Sequence, residues 1–228
     1  MIAEDFIGDA VTTEDGTEGK AAELLTDTLM HINVATGGEF TVYNSLCAIG
    51  AVCSLGFEFS DVVEAISDAS TVKGRLELLK TNTEYGVIID YAHTPDGLEK
   101  ALNAVRGFTK GRVITLFGCG GDRDKTKRPK MGRMATDLSD IVVVTTDNPR
   151  TEDPDEIIKE ILIGTVGSKA EVISITDRSE AIAYALKIAK AGDTILLAGK
   201  GHETYQVIGK ERVHYDEREV VADILSKM

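Results

Sequence analysis

The sequence predicts an α/β fold with a doubly wound, mainly parallel sheet. Short apolar runs rich in β-branched residues alternate with helical stretches, which is the pattern of consecutive βαβ units. Three polar, glycine-rich clusters each follow one of these runs, at the place where open parallel sheets bind their ligands. The predicted strands are Val87–Ile89, Val113–Phe117, Ile141–Thr145, Val172–Ile175 and Thr194–Ala198.

The beginning of the chain gives weaker signals. Ala21–Leu29 is compatible with a short helix. His31–Val42 predicts a β-hairpin, because apolar and polar residues alternate on both sides of Gly37 and Gly38.

Two helices are predicted before the alternating pattern starts. The first is expected to begin at a cap, Asn44 or Ser45, and to end before Gly56. The second, Asp61–Ala69, opens with the acidic spacing of a capping box. Gly74 then marks a boundary or hinge, which predicts one domain in residues 1–74 and another in residues 75–228.

Three helices of the second domain have clear starting signals. Thr94 and Asp153 are each followed by proline, and Asp177 opens a capping-box-like run. A hairpin around Gly209–Lys210 and a helix over Glu217–Ser226 are predicted to close the chain.

The composition is that of an acidic globular protein. The formal net charge of −13 argues against a nucleic-acid or anionic-membrane surface, which requires a basic face. No apolar stretch approaches the roughly 18 residues needed to span a bilayer. Met1–Asp5 lacks the basic start and apolar core of a signal peptide, so a cytoplasmic location is expected.

The three cysteines form no metal or disulfide pattern. Cys47 and Cys53 lie in a run of small apolar residues and are expected in the core. Cys119 lies in a glycine-rich loop, but the sequence indicates no histidine base beside it, so we do not expect a nucleophile.

The three polar clusters cover residues 118–124, 147–150 and 199–203. Each alone is also compatible with an ordinary turn, and the first lacks the dinucleotide-binding spacing because residue 123 is arginine. Together they would place Arg, Asp, Asn and Glu side chains along one edge of the sheet. Arginine binds carboxylates and Asp or Glu binds ammonium groups, so the set suits a small zwitterion.

A group of basic residues follows the first cluster. In an acidic protein it is either a solvated face or a site for phosphate or carboxylate, and the sequence leaves both open. Its members are Arg123, Lys125, Lys127, Arg128, Lys130 and Arg133.

From about Phe40 to its end, the chain resembles the Mur ligase family, and within it the members that add meso-diaminopimelate. Asp147-Asn148-Pro149-Arg150 is the signature of those members, in which arginine pairs with the second carboxylate of diaminopimelate. The resemblance is carried by residues 72–75, 89–96, 117–132, 147–153 and 197–206.

The resemblance implies an activity and a set of site residues. The family uses ATP and Mg²⁺ to convert the terminal carboxylate of UDP-MurNAc-L-Ala-D-Glu into an acyl phosphate, which the amine of diaminopimelate then attacks. The expected contacts with ATP are at Asn44, Arg75, Asp90 and His93. The expected contacts with the amino acid are at Arg123, Asp147, Asn148, Pro149, Arg150, Gly199 and Glu203.

The chain also departs from the family pattern. It contains no phosphate-binding loop ending in Gly-Lys-Thr/Ser. The family's Mg²⁺ ligands and UDP-binding domain also precede everything matched here. Residues 1–74 would then be the tail of the central ATPase domain and residues 75–228 the whole C-terminal domain, and we expect no ligation by the chain alone.

Two other functions remain open at this point. The chain could be a stand-alone module that binds an amino acid or regulates without catalysis. A ligase that adds glutamate to folate is disfavoured by the Asp147–Arg150 signature. The sequence gives no indication of the oligomeric state.

Overall fold

The computed structural model describes residues 6–13, 16–23, 28–34, 39–69 and 72–228, with side chains in 41–69 and 72–228. The chain divides into two compact units, Met1–Val72 and Lys73–Met228. Each unit has its own sheet.

The first unit combines a small antiparallel sheet with two helices. The strands are hydrogen-bonded in the order β1-β2-β3. Their bounds are Phe6–Thr13 for β1, Gly16–Glu23 for β2 and Thr28–Val34 for β3, followed by α1 (Glu39–Cys53) and α2 (Phe59–Asp68).

The two helices pack on each other through one buried face each. In α1 the buried positions follow a four-residue spacing, which is one face of a helix; they are Thr41, Ser45, Ile49 and Cys53. In α2 they are Phe59, Val62 and Val63.

The predictions for this unit were largely wrong. The end of β2 at Glu23 and the start of β3 at Thr28 replace the predicted helix over Ala21–Leu29, of which residues 24–27 lie outside the described residues. The predicted hairpin over His31–Val42 also fails, because a strand ends at Val34 and a helix begins at Glu39. Residues 35–38 of that segment lie outside the described residues.

The predicted helix starts in this unit were also wrong. Asn44 and Ser45 lie inside α1 rather than at its cap. α2 begins at Phe59 after Glu58, whose side chain makes no capping hydrogen bond, so the predicted capping box is absent. The predicted end of the first helix before Gly56 is confirmed, because Gly56 adopts a φ of +93° and its N–H donates to the Cys53 carbonyl.

The second unit confirms the predicted α/β fold. Its six-stranded sheet has the order β4-β5-β9-β6-β7-β8, in which β4 is an antiparallel edge and all other neighbours are parallel. The bounds are Glu77–Leu78 for β4, Gly86–Asp90 for β5, Val113–Phe117 for β6, Ile141–Val144 for β7, Glu171–Ser174 for β8 and Thr194–Ala198 for β9.

Five helices and a hairpin complete this unit. They are α3 (Pro95–Phe108), α4 (Lys127–Leu138), α5 (Pro154–Leu162), α6 (Arg178–Ile188) and α7 (Glu217–Ser226), with the hairpin strands β10 (Tyr205–Ile208) and β11 (Glu211–His214). The hairpin and the last helix lie where the sequence predicts them. Thr94, Asp153 and Asp177 cap α3, α5 and α6 as predicted, each accepting a hydrogen bond from a first-turn amide.

The sheet is covered on both faces. α6 and α7 pack on alternate strand residues, including Ile89, Leu116, Val143 and Leu197. α3, α4 and α5 contact one another in sequence. Right-handed crossovers place these three on the opposite face, because the chain moves one way across the sheet from β5 to β8 and then returns to β9.

The strand order decides where the polar clusters lie. Parallel strands β5, β9, β6 and β7 are consecutive neighbours, so their carboxyl ends meet at one edge of the sheet. The loops that leave β6, β7 and β9 carry the three clusters and are therefore adjacent.

Candidate functional site

The loop of residues 147–150 lies between the glycine-rich loop and the hairpin. The Gly121 N–H donates to the Asn148 carbonyl at 2.9 Å. On the other side, the Arg150 N–H donates to the Val207 carbonyl at 3.0 Å, and the Arg150 carbonyl accepts from Gly209 at 2.8 Å. Backbone hydrogen bonds on both sides therefore fix the loop in place.

The close approach of the two loops requires glycine at position 121. A Cβ built on Gly121 would lie 1.9 Å from the carbonyl oxygen of Pro149. Real Cβ atoms do not come so close to an oxygen, and the obstacle is backbone, which cannot rotate away. The structure places Pro149 in the buried wall of the site.

Arg150 has one anchored guanidinium edge and one free edge. Its Nη1 donates to the Gly121 carbonyl at 2.8 Å and approaches the Asn148 carbonyl at 3.5 Å. Among residues 72–228, Nε and Nη2 of Arg150 have no hydrogen-bond partner. Because Nε and Nη2 form the fork that binds a carboxylate with two parallel hydrogen bonds, the group is prepared to receive one.

Two carboxylates and an amide meet over a buried lysine. Asn148 Nδ2 donates to Glu203 Oε2 at 3.0 Å. Lys200, fully buried, places its ammonium 3.2 Å from Asn148 Oδ1, 3.4 Å from Glu203 Oε2 and 3.5 Å from Asp147 Oδ1. Gln206 Nε2 supports this group by donating to the Asp147 carbonyl at 2.9 Å. The arrangement suits a cationic ligand group next to the guanidinium of Arg150.

The remaining predicted amino-acid contacts lie in the same loops. Arg123 is exposed, and its Nη1 donates to the Asp122 carbonyl of its own loop at 2.9 Å. Gly199 adopts a φ of +113°, in the region that favours glycine, and donates to the Asp90 carbonyl at 3.0 Å. The structure thus brings all seven predicted amino-acid contacts to one edge of the sheet.

Three of the predicted ATP contacts surround Tyr91, directly after β5. The Arg75 guanidinium lies over the Tyr91 ring, 5.0 Å from its centroid. The His93 ring is 4.7 Å from the same ring and contacts the Tyr91 carbonyl through Nδ1 at 2.8 Å. Asn44, the fourth predicted contact, is exposed on α1 of the first unit.

The Asp90 carboxylate holds the backbone on both sides of it. Oδ2 accepts from Leu76 N–H at 2.8 Å and Oδ1 from Ala92 N–H at 2.7 Å. Burial raises the pKa of this carboxyl, while the two amide hydrogen bonds and nearby Arg75 oppose the rise. Asp90 therefore shapes the loop that carries Tyr91 and His93.

Two of the basic residues after the glycine loop pair with carboxylates. Arg128 is fully buried and bonds to both Glu152 oxygens at 2.9–3.0 Å and to Glu160 at 2.8 Å. Lys125 pairs with Glu152 at 2.9 Å. Hydrogen bonds from Arg128 and Lys125 lower the pKa of Glu152 to about 2. Arg128 thus joins α4 to α5, and the phosphate role that the sequence left open does not suit it.

The three cysteines lie in different environments. Burial raises the pKa of Cys119 to about 12, so the reactive thiolate does not form near neutral pH. Cys53 is buried as predicted, whereas Cys47 is exposed on α1 and its predicted place in the core is wrong. The described residues contain no group of three or more His, Cys, Asp or Glu side chains that could hold a metal ion. Within the same ranges, no helix has the length and apolar character needed to cross a membrane.

Sequence reasoning missed three residues of this site. In the sequence, Lys200 is only one member of the polar cluster 199–203, and Tyr91 and Gln206 only lie within the stretches that carry the resemblance. The available signal for Lys200 was its position between Gly199 and Gly201 in a polar cluster after a buried strand. A lysine in such a turn is usually exposed, so its burial depends on partners from another loop.

Comparisons with known proteins identify relatives of this chain. Residues 74–201 match the family described as "Mur ligase, glutamate ligase domain". The chain is 47% identical over 200 residues to UDP-N-acetylmuramoyl-L-alanyl-D-glutamate--2,6-diaminopimelate ligase 1 of Clostridium acetobutylicum, covering 87% of this chain and 41% of the relative. It is 49% identical over 191 residues to the ligase of the same description from Gloeobacter violaceus, covering 83% of this chain and 39% of the relative.

One solved structure is similar to this chain along most of its sequence. The structure of a UDP-N-acetylmuramoyl-L-alanyl-D-glutamate--2,6-diaminopimelate ligase superposes with a TM-score of 0.69 at 32% identity, covering 98% of this chain and 45% of that one. The chain thus spans about two fifths of the length of the curated relatives that it matches. The family match over more than half of its residues shows that the chain belongs to the Mur ligase family.

Proposed function

We propose that the chain provides the amino-acid site of an ATP-dependent ligase that adds meso-diaminopimelate to UDP-MurNAc-L-Ala-D-Glu in peptidoglycan precursor synthesis. In this reaction ATP transfers its γ-phosphoryl group to the terminal carboxylate of the dipeptide. The amine of diaminopimelate attacks the acyl phosphate, an amide bond forms and inorganic phosphate leaves. The curated relatives carry names for this activity.

The free edge of Arg150 is the observation that carries the proposal. Diaminopimelate differs from lysine by a second carboxylate at its far end. Arg150 is held by the Gly121 carbonyl at 2.8 Å, which leaves Nε and Nη2 to pair with that carboxylate. A ligand without the carboxylate would leave this guanidinium edge unpaired, which is why the site would reject lysine.

The carboxylates beside Arg150 complete the recognition. The far end of diaminopimelate also carries an ammonium group on the same carbon as the carboxylate. Asp147 and Glu203, with side chains 11% and 14% exposed, remain accessible to such a group. Arginine on one side and two carboxylates on the other match an amino-acid end group in charge and in hydrogen-bonding type.

We assign the residues around Tyr91 to ATP. Arg75 and the exposed His93 suit an anionic or ribose group, and Asp90 fixes the two segments that carry them. The role of Asn44 stays a prediction. Mg²⁺ would neutralise phosphate charge in this reaction. The described residues contain no cluster of three or more His, Cys, Asp or Glu side chains that could hold it. We propose that the first unit corresponds to part of the family's ATP-binding domain.

Calorimetric titration of the whole chain with meso-diaminopimelate and with L-lysine tests the proposal. Arg150→Met should weaken diaminopimelate binding about 10- to 100-fold, the usual effect of losing charge-assisted hydrogen bonds. Arg133→Met, at an exposed position paired only with Asp137 on its own helix, is the matched control. Binding of lysine as tight as that of diaminopimelate, or no effect of Arg150→Met, would contradict the proposal.

A further inference from the structure

Lys200 is one of the largest fully buried side chains of the protein and the only lysine among the fully buried ones in the described residues. A buried ammonium is costly unless all three of its N–H groups find acceptors. Here the acceptors are Asn148 Oδ1, Glu203 Oε2 and Asp147 Oδ1, at 3.2, 3.4 and 3.5 Å. All three belong to residues of the proposed amino-acid site.

The lysine decides how the two carboxylates can be arranged. Asp147 and Glu203 each lie within 3.5 Å of the same nitrogen, so their negative charges are close to one another. Without a cation between them, like charges at this separation repel each other and move apart. Lys200 therefore holds both carboxylates close together.

The lysine also fixes the orientation of the Asn148 amide. Oδ1 of Asn148 accepts from Lys200 and from the Val207 N–H, the latter at 2.9 Å. With the oxygen bound twice, Nδ2 must point to Glu203, as observed at 3.0 Å. The second oxygens of both carboxylates, Oδ2 of Asp147 and Oε1 of Glu203, make no hydrogen bond within residues 72–228.

We propose that Lys200 is a positioning residue that builds, from Asp147, Asn148 and Glu203, a preformed receptor for the ammonium group of the amino-acid substrate. It contacts no substrate itself. It binds the inner oxygens of the receptor and leaves the outer ones to the ligand. The inference rests on the proposed function, because it takes the ligand to be an amino acid with an ammonium group at this site.

Simple electrostatics and positioning predict opposite effects of removing the lysine charge. If charge alone mattered, Lys200→Met would make the site more negative and strengthen the binding of a cationic group. If Lys200 positions the receptor, the same change weakens that binding, because the carboxylates separate and the amide of Asn148 loses its fixed orientation. The sign of the change in affinity therefore distinguishes an effect of charge from an effect of positioning.

The test is calorimetric titration of the whole chain and its variants with meso-diaminopimelate and with pimelate, which keeps both carboxylates and lacks both amines. Lys200→Met should weaken diaminopimelate binding at least about tenfold, the loss expected for one charge-assisted contact. The dissociation constant for pimelate should change less than about threefold in the same variant. Lys210→Met, at the exposed tip of the β10–β11 hairpin, is the matched control and should change neither the affinity for diaminopimelate nor that for pimelate.

Lys200→Gln keeps the proposal testable if the methionine variant does not fold. Glutamine can still donate to Asn148 Oδ1 without a charge, so we expect an intermediate loss of diaminopimelate affinity. If Lys200 were needed only for folding, the variant would contain a smaller fraction of binding-competent protein. The titration would then give a lower binding stoichiometry and an unchanged dissociation constant. That result, or unchanged or tighter binding by Lys200→Met, would overturn the inference and leave the proposed function intact.

A ligand-free measurement completes the test. The side-chain amide signals of Asn148 in a ¹H–¹⁵N spectrum should shift in Lys200→Met and stay in place in Lys210→Met. Unchanged Asn148 signals in a folded Lys200→Met would also overturn the inference. Failure of the unmodified chain to bind diaminopimelate would contradict the proposed function and this inference together.

Discussion

Gly74 lies directly against Gly201, so that a Cβ on Gly74 would come within 2.2 Å of the Gly201 carbonyl carbon. Arg218 bonds to the Gly201 carbonyl at 3.1 Å and pairs with Glu77. Glu77 in turn accepts from the Gly74 N–H at 2.6 Å. The start of the second unit is thereby fixed to the loop that carries Lys200 and Glu203, and a role of Gly74 as a hinge stays a prediction.

Gly74→Ala should destabilise the protein. Gly74 has a φ of +73°. Holding alanine in this backbone conformation lowers the stability by on the order of 1–3 kcal/mol, before any steric clash is counted. The new methyl group would also displace the backbone of Gly201. Chemical denaturation measures the change. The control is Gly107→Ala on the exposed side of α3, where a Cβ meets no atom within 4 Å and stability should hold or rise. Equal stability of both variants would contradict the prediction.

Arg178→Met should destabilise the second unit strongly. Arg178 and Glu217 are both buried and pair at 2.8 Å, and Arg178 also bonds to the carbonyls of Thr146 and Ala198. The variant leaves the Glu217 carboxylate buried without its cation, which typically costs about 3–5 kcal/mol. The free energy of unfolding from denaturant titration checks this value.

The exposed pair Lys227–Asp223, with side chains 70% and 61% exposed, provides a comparison for this prediction. Lys227→Met should change stability little, because exposed ion pairs contribute little. A similar loss in Arg178→Met and Lys227→Met would show that burial of the pair does not determine its contribution.

Glu152 should contribute to the pH dependence of stability in acid. Its pKa is lowered to about 2 in the folded protein by Arg128 and Lys125, against an ordinary value of 4.5. The folded state therefore binds fewer protons, and the stabilisation is complete above about pH 5 and lost as the pH falls towards 2. The stability difference between the parent and Glu152→Gln should narrow over this range.

Unfolding curves between pH 7 and pH 2 measure this difference. Glu99→Gln, at an exposed position of α3, is the control for removing a carboxylate. A difference between parent and Glu152→Gln that stays constant down to pH 2.5 would show that the Arg128–Glu152 contact does not lower the pKa of Glu152.

Thiol labelling should separate the cysteines of the native protein. Cys47 is exposed and should react with iodoacetamide at pH 8. Cys119 should react only after unfolding, because burial raises its pKa to about 12 and also blocks access. Mass spectrometry of digested protein identifies the labelled residue. Labelling of native Cys119 at the rate of Cys47 would contradict the structure of the glycine-rich loop.

The fold of the second unit was predictable because its signals are local. Buried strands such as Ile141–Val144 are apolar throughout, and caps such as Thr94 act within four residues. The first unit lacked such signals. The buried face of α1 includes Thr41 and Ser45, so its helical period is not visible as an apolar stripe.

The sequence by itself determined the parallel sheet, the caps and the chemical types at the site, because strand and cap signals act within a few residues. Only the tertiary structure decided the burial of Lys200, Arg128 and Arg178. Their partners lie up to 53 residues away along the chain, on loops and helices that the fold brings together. A charged side chain is stable in the interior only when such partners surround it, and no local pattern records which loops will meet.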